Sequence, residues 1–284
     1  MDDVFSIEKE SVLCVEPVVT GGMCIEAGFT TRIGGRSSKP WDSMNLGLTV
    51  GDDPKQVLLN RQIAAKTIGF PLENWVCAEQ VHGTAIASVG TQDAGAGAFS
   101  RNSIIAGVDG LITQSADLLL ALTFADCVPL YFYVKDPPTV AMYHAGWRGT
   151  VHGGAGIMVE RLMEQLHLSS PEPIHAIVGP AIGIGDYEVD HRVMHELETM
   201  KRDLWEPLVV KKLNGKYLLG LQQLNHRLLV DAGVSERHVQ VTRYTTFVDW
   251  ERFFSFRRDG GCTGRMIGFI GMKPMKESEY GERC

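Results

Sequence analysis

The stretch from Asp109 to Gly149 decides how this chain is read. It begins DGLIT (Asp109–Thr113), continues LLLALTFADCVPLYFYV (Leu118–Val134), breaks at KDPP (Lys135–Pro138) and ends TVAMYHAGWRG (Thr139–Gly149). Two apolar runs flank Asp126 and Cys127, and a third carries His144 into a glycine-rich turn. Ionisable and reactive side chains that interrupt buried strands are costly unless paired or used, so this stretch is the candidate site.

Val128–Val134 and Thr139–Tyr143 are rich in residues that favour strands, and Lys135–Pro138 has the composition of a turn. As an antiparallel hairpin they place Cys127 and His144 almost symmetrically about that turn. Facing residues on such a pair have Cβ atoms roughly 4.5–5.5 Å apart. A cysteine beside a histidine supports three readings: metal ligands, a nucleophile–base pair, or buried neighbours. Spacing alone does not choose among them.

The 284 residues are 44% hydrophobic and 21% charged, ordinary for a globular cytoplasmic protein with ample material for a core. A net charge of -7 argues against a general nucleic-acid binder, which needs a basic face. The longest apolar candidate, Leu118 to Val134, is interrupted by Asp126 and Pro129 and falls short of the roughly 18 residues of a membrane span. The acidic start MDDVFSIEKE lacks the apolar centre of a secretory leader. Six cysteines without framework spacing are expected to be reduced thiols.

Taken in order, Ser11–Val15 and Cys24–Thr30 read as strands. Asp53 can cap a helix that starts at Pro54, with Val57, Arg61, Ala64 and Ile68 on one face. Arg61 then lies among apolar neighbours, from which a long stem can reach a pocket. Trp75–Ala78 and Ile86–Val89 are strands on either side of Gln80-Val81-His82-Gly83. By itself, His82 reads as a turn or surface residue. Thr91–Gly107 is long and aperiodic, as a cover over a site would be.

Beyond Gly146 the spacing of Val151, Ala155, Met158, Leu162 and Leu166 predicts one helix. Gly153, Gly154 and Gly156 weaken it by about 1 kcal/mol each relative to Ala, so something must approach closely there. An anion beside Arg148 and tight helix–sheet packing are the two explanations. His175–Val178 and Val239–Thr242 read as strands and Ile267–Ile270 as a short last one. Helices are expected around Val193–Leu204 and Leu221–Ala232, and a charged, frayed tail from Lys273 to Cys284. No repeat or linker divides the chain, and one α/β domain over residues 1–284 is the simplest organisation.

The chain resembles the YfiH/YlmD family, labelled first laccase-like or polyphenol oxidase and then purine nucleoside phosphorylase. The matching blocks are FTTRIGG (Phe29–Gly35), NLGLTVGDDP (Asn45–Pro54), QVHG (Gln80–Gly83) and DGLIT. They continue with ADCVP (Ala125–Pro129), HAGWRG (His144–Gly149) and FFSFRRDGGCTGR (Phe253–Arg265), in order over nearly the whole chain. The resemblance implies a layered α/β/β/α fold of α+β type with mixed sheets. It also implies a metal held by His82, Cys127 and His144, with zinc favoured over copper.

Two imidazoles and one thiolate leave a fourth zinc position open for water or substrate. The implied activity is phosphorolysis of adenosine, inosine and S-methyl-5'-thioadenosine, with deamination of adenosine beside it. Purine nucleosides and phosphate are then the partners. Arg61 and Arg148 are the candidates for the phosphate. Asp126 is a candidate proton shuttle or a partner that orients an imidazole, and Gln80 and Asn45 are candidates for ribose or base. The rivals are a copper phenol oxidase, for which nine histidines without H-x-H pairs are poorly arranged, and a metal-free Cys127–His144 hydrolase. A zinc-stabilised binding module is the non-enzymatic alternative.

Overall fold

A computed structural model describes residues 3–275. The strands of the first third are β1 (Phe5–Lys9), β2 (Val12–Val15), β3 (Val18–Thr20), β4 (Met23–Thr30), β5 (Trp75–Cys77) and β6 (Ile86–Ser88). The central strands are β7 (Gly110–Thr113), β8 (Leu119–Phe124), β9 (Val128–Val134), β10 (Thr139–Ala145) and β11 (Ile174–Val178). Those that follow are β12 (Glu188–Val189), β13 (Val209–Lys211), β14 (Tyr217–Leu219), β15 (Val239–Val241) and β16 (Met266–Pro274). The helices are α1 (Pro54–Ile68), α2 (Trp147–Val151), α3 (Gly154–Leu166), α4 (His191–Leu197), α5 (Arg202–Trp205) and α6 (Leu221–Asp231).

Of the two large sheets, one runs β1-β2-β4-β16-β8-β5, with β3 on β4, and the other runs β15-β11-β9-β10-β7-β6, while β12-β14-β13 form a small third sheet. Both large sheets are mixed, because β5–β8, β6–β7 and β11–β15 are parallel pairs among antiparallel ones. The strand alternation assigns the layers. On β9, Val128, Leu130, Phe132 and Val134 join α3 and α6 in one core, while Tyr131 joins Leu120, Leu122 and Phe124 of β8 in the core between the sheets. A third core packs Ala64 and Ala65 of α1 on the outer face of β8 and β16. The layering is therefore α/β/β/α. On β10, Val140 and Met142 face the other sheet, so His144, two residues on, reaches the same interlayer space where the sandwich ends.

Asp53 caps α1 by accepting from Lys55 N at 2.9 Å, with Pro54 in the first turn and Gly69 closing it at φ 81°. The β9–β10 hairpin forms as expected, but its register pairs His144 with Pro129 and Ala145 with Val128. Cys127 is therefore not opposite His144. It lies in the bend between β8 and β9 and approaches His144 diagonally.

Four other expectations are corrected. The helix after Gly146 is two helices, broken at Gly153, whose φ of 77° is left-handed. This bend lays Gly149 and Gly154 on Tyr143, where a Cβ at either would overlap the Tyr143 hydroxyl. Close packing therefore accounts for the glycine of the α3 start. The Val193–Leu204 helix divides into α4 and α5 because the ladder tightens to three-residue bonds at Thr199 and Met200 and then stops.

The last strand is longer than expected and central, with Met266–Pro274 between β4 and β8. Lys273 and Pro274 belong to it, and the expected frayed segment otherwise falls on residues 276–284, outside the described residues. Finally, Thr91–Gly107 does not cover the site. It is pinned to β5 by Cys77 N to Ala96 O (2.8 Å) and Ile105 N to Cys77 O (3.1 Å), with Ala96 and Ala98 buried.

Candidate metal centre

His82, Cys127 and His144 come from three separate segments, and the residue that assembles them is Asp109. Fully buried at the mouth of β7, its carboxylate accepts from His144 Nδ1 at 2.8 Å. It also accepts the backbone N–H groups of Val81 (3.1 Å), His82 (3.0 Å) and Gly83 (2.7 Å). Burial alone would raise this carboxyl, but the bonds from His144, Gly83 and His82 more than reverse that and hold it ionised. With Nδ1–H given to Asp109, His144 presents Nε2 toward the cluster. Asp109 was only the first letter of a matched block. An acid opening a short uncharged strand, GLIT, was the signal that could have found it.

The loop carrying His82 is clasped from both sides. The Gln80 amide accepts from Thr123 N and Oγ1 and donates to Thr123 O, each at 2.8 Å. Tyr143 Oη donates to Gly83 O at 2.7 Å. Gln80 and His82 stand at φ 59° and 61°, and Asp126 at 89°. Three of the five non-glycine residues with positive φ among the described residues thus border one site, where such conformations cost about 1–3 kcal/mol each.

The ligand atoms of His82, Cys127 and His144 lie within 4.8 Å of one another, and they form the one such cluster of His, Cys, Asp and Glu among the described residues. His82 Nε2 is 4.0 Å from Cys127 Sγ, and the imidazoles meet edge-on with centroids 4.8 Å apart. A Cβ on Gly146 would stand 2.9 Å from His82 Cδ2 and 3.2 Å from Cys127 Sγ, so glycine is what lets the cluster close. Burial pushes the Cys127 thiol up, but His144 and His82 outweigh it and bring it down to about 6. Burial presses His144 down, yet Cys127 and Asp109 lift it to about 9. Two imidazoles and a thiolate at this spacing fit a four-coordinate metal with one open position.

The cluster lines a cavity of about 510 Å³, within the usual range of small-ligand sites. Trp147 and Tyr187 form an aromatic wall, and Arg148, Arg192, Arg257 and Arg265 also line it. Among the sequence candidates, Arg148 and Gln80 line this cavity, although the Gln80 amide is engaged with Thr123. Asp126 borders it but touches neither imidazole. Its carboxylate accepts from Thr246 Oγ1 at 2.6 Å and Arg257 N at 2.7 Å, so the orienting role expected of it belongs to Asp109.

Arg61 and Asn45 are corrections. Arg61 is buried on α1, with Nε on Leu46 O and Nη1 on Gly97 O and Ala98 O, and does not reach the cavity. Asn45, also buried, caps its own loop at Gly47 N and bonds Asp52 and Arg265 N.

The family described as multi-copper polyphenol oxidoreductase laccase matches residues 26–273. The chain belongs to this laccase-like family. The purine nucleoside phosphorylase YlmD of Geobacillus stearothermophilus is 44% identical over 276 residues, covering 96% of this chain and 98% of its own. The purine nucleoside phosphorylase YlmD of Bacillus subtilis is 39% identical over 249 residues, covering 87% and 88%. The crystal structure of YlmD from Geobacillus stearothermophilus superposes with a TM-score of 0.88 at 42% identity, covering 96% of this chain and 100% of that one. The Bacillus licheniformis protein YfiH superposes at 0.87 and 37% identity, covering 94% and 98%.

Proposed function

We propose that the protein is a zinc-dependent purine nucleoside phosphorylase acting on adenosine, inosine and S-methyl-5'-thioadenosine, with adenosine deaminase activity at the same site. The observation that carries this is the His82–Cys127–His144 cluster on an aromatic, arginine-lined cavity. The chain carrying it shares 44% identity with a purine nucleoside phosphorylase along nearly its whole length. Bound zinc would supply Lewis acidity and lower the pKa of a water in its open position, the chemistry that deamination needs.

His82, Cys127 and His144 would hold the metal, and Asp109 sets the His144 tautomer and the His82 loop. Trp147 and Tyr187 offer faces for a purine, and Arg148 an anion contact at the rim. In phosphorolysis a phosphate oxygen bonds to C1′ as the C1′–N9 bond breaks. The base leaves with that electron pair and takes the proton that phosphate gives up. A reducing compartment, the cytoplasm, suits a thiolate ligand, and no helix among the described residues is long and apolar enough to cross a membrane.

The family description keeps a copper oxidase as the second reading. One three-donor cluster among the described residues suits a single ion better than a multi-copper array. Purified protein is assayed on adenosine with and without phosphate, resolving adenine, inosine and hypoxanthine, after loading with zinc or with copper. Phosphate-dependent release of adenine by the zinc form is expected. Phenol oxidation by the copper form with no nucleoside turnover would refute the proposal.

A further inference from the structure

Phosphorolysis requires a site for inorganic phosphate, and Arg61 cannot supply it. We propose that Arg265 does, as the residue that grips the phosphate inside the cavity. The inference rests on the phosphorylase reading.

Arg265 ends the FFSFRRDGGCTGR block, just before β16, and its placement is determined by the loop at Asn45. Its backbone N donates to Asn45 Oδ1 at 2.9 Å, and its carbonyl accepts from Leu46 N at 3.0 Å. Asn45 is held in turn by Asp52 at 2.8 Å, and the Leu46 carbonyl by Arg61 at 2.9 Å. A Cβ on Gly47 would lie 2.8 Å from Arg265 Cγ, so the stem runs across a glycine cleared for it. The two residues expected to touch substrate thus build the cradle of an arginine that lines the cavity.

The guanidinium is only partly committed. Nη1 donates to Thr263 O and Gly264 O, both at 2.9 Å, and Cζ lies 5.6 Å from the Phe256 ring centroid. Nε–H and the Nη2 hydrogens have no acceptor among the described residues. That edge is the fork that matches two oxygens of a phosphate. No carboxylate among the described residues forms a salt bridge with Arg265, and both Asp126 oxygens are occupied by Thr246 and Arg257 N.

Arg265 lines the same cavity as His82, Cys127 and His144, and although burial weighs against its charge, Cys127 and Asp126 oppose that effect. A guanidinium stays protonated, so a partly buried one in no salt bridge among the described residues, with Nε–H and Nη2 unengaged, can take an anion there. The other cavity arginines are less suited. Arg148 and Arg192 are exposed and stack on Trp147 at 4.8 Å and 5.7 Å, and exposed Arg257 donates to Glu188 O at 2.6 Å.

The test uses the zinc-loaded protein with Arg265→Gln, Arg265→Lys and Gly47→Ala. Bound metal and melting are recorded with calorimetric binding of inorganic phosphate and the phosphate KM at saturating inosine. Arg265→Gln is expected to weaken phosphate binding and raise its KM about tenfold or more, with metal content unchanged. Arg265→Lys should fall between, because it keeps the charge and loses the fork. Gly47→Ala should act in the same direction with the arginine still present, and it decides the matter if Arg265→Gln fails to fold.

Unchanged phosphate affinity in the folded Arg265→Gln or Gly47→Ala variant, or no measurable phosphate binding by the parent, overturns the proposal. Phosphate-dependent nucleoside cleavage that ignores both substitutions overturns it while leaving the phosphorylase reading intact. Arg265-dependent phosphate binding without any nucleoside cleavage does the reverse.

Discussion

Asp109 joins His144 through a 2.8 Å bond to Nδ1 and, with the same two oxygens, holds the backbone of the loop that presents His82. One carboxylate therefore sets the ring of one ligand and the chain path of another. Their distance apart depends on its shape and charge together.

Asp109→Asn preserves the shape and removes the charge. One amide oxygen cannot serve four donors, and the NH₂ group faces N–H groups that it repels. Metal affinity is expected to fall about 10–100-fold, the usual effect of removing a ligand-orienting partner. Competition with a chromophoric chelator measures it. Affinity equal to the parent would show that the cluster needs no such support.

The metal-free protein should carry a Cys127 thiolate at neutral pH. The folded thiol sits at about 6 against an ordinary 9.0, so its contribution to stability is present above 9 and lost as pH falls through 6. His144, raised to about 9 from 6.5, contributes fully below 6.5 and loses that contribution as pH rises through 9. Thiolate and imidazolium are therefore charged together between about 6 and 9. Thiolate absorbance near 240 nm, titrated after chelation, should show a midpoint near 6. His144→Ala should move that midpoint upward, since burial alone raises the thiol. A midpoint near 9 in the parent would contradict the ion pair.

Asp126→Asn tests what that acid does. Its carboxylate binds Thr246 Oγ1 and Arg257 N and neither imidazole. The substitution should cost about 1–3 kcal/mol of stability and leave metal content unchanged. Denaturant unfolding and metal analysis of the same preparation settle it. Loss of metal without loss of stability would restore the orienting role to Asp126.

Arg61→Met keeps the apolar stem and abandons three carbonyls, at Leu46, Gly97 and Ala98. Buried acceptors left unpaired cost about 1–3 kcal/mol each, so a loss of about 3 kcal/mol or more is expected, with the metal still bound by the folded fraction. Chemical denaturation is the readout. A variant as stable as the parent would show that the clamp is dispensable.

Much of the architecture was legible because it is local. The strand-favouring composition of β9 and β10 about their turn, the Asp53 cap before Pro54 and the apolar spacing of α6 each depend on residues a few positions apart. The three ligands were legible only through resemblance, since His82 by itself read as a turn residue. The break at Gly153 and the place of β16 at the centre of its sheet were not, because each is settled by distant partners, Tyr143 in one case and β4 and β8 in the other.

The amino-acid order determined by itself many of the central strands and the helices at Pro54 and Leu221, and that an acid, a thiol and an imidazole interrupt buried runs. Only the tertiary structure decided which acid faces the imidazole and which arginine faces the cavity. Asp109 and Asp126 are both acids beside apolar strands, and Arg61 and Arg265 are both arginines. What separates them is the direction of a side chain, and that is set by hydrogen-bond partners brought together from far along the chain, such as Asn45 with Arg265 and Asp126 with Thr246.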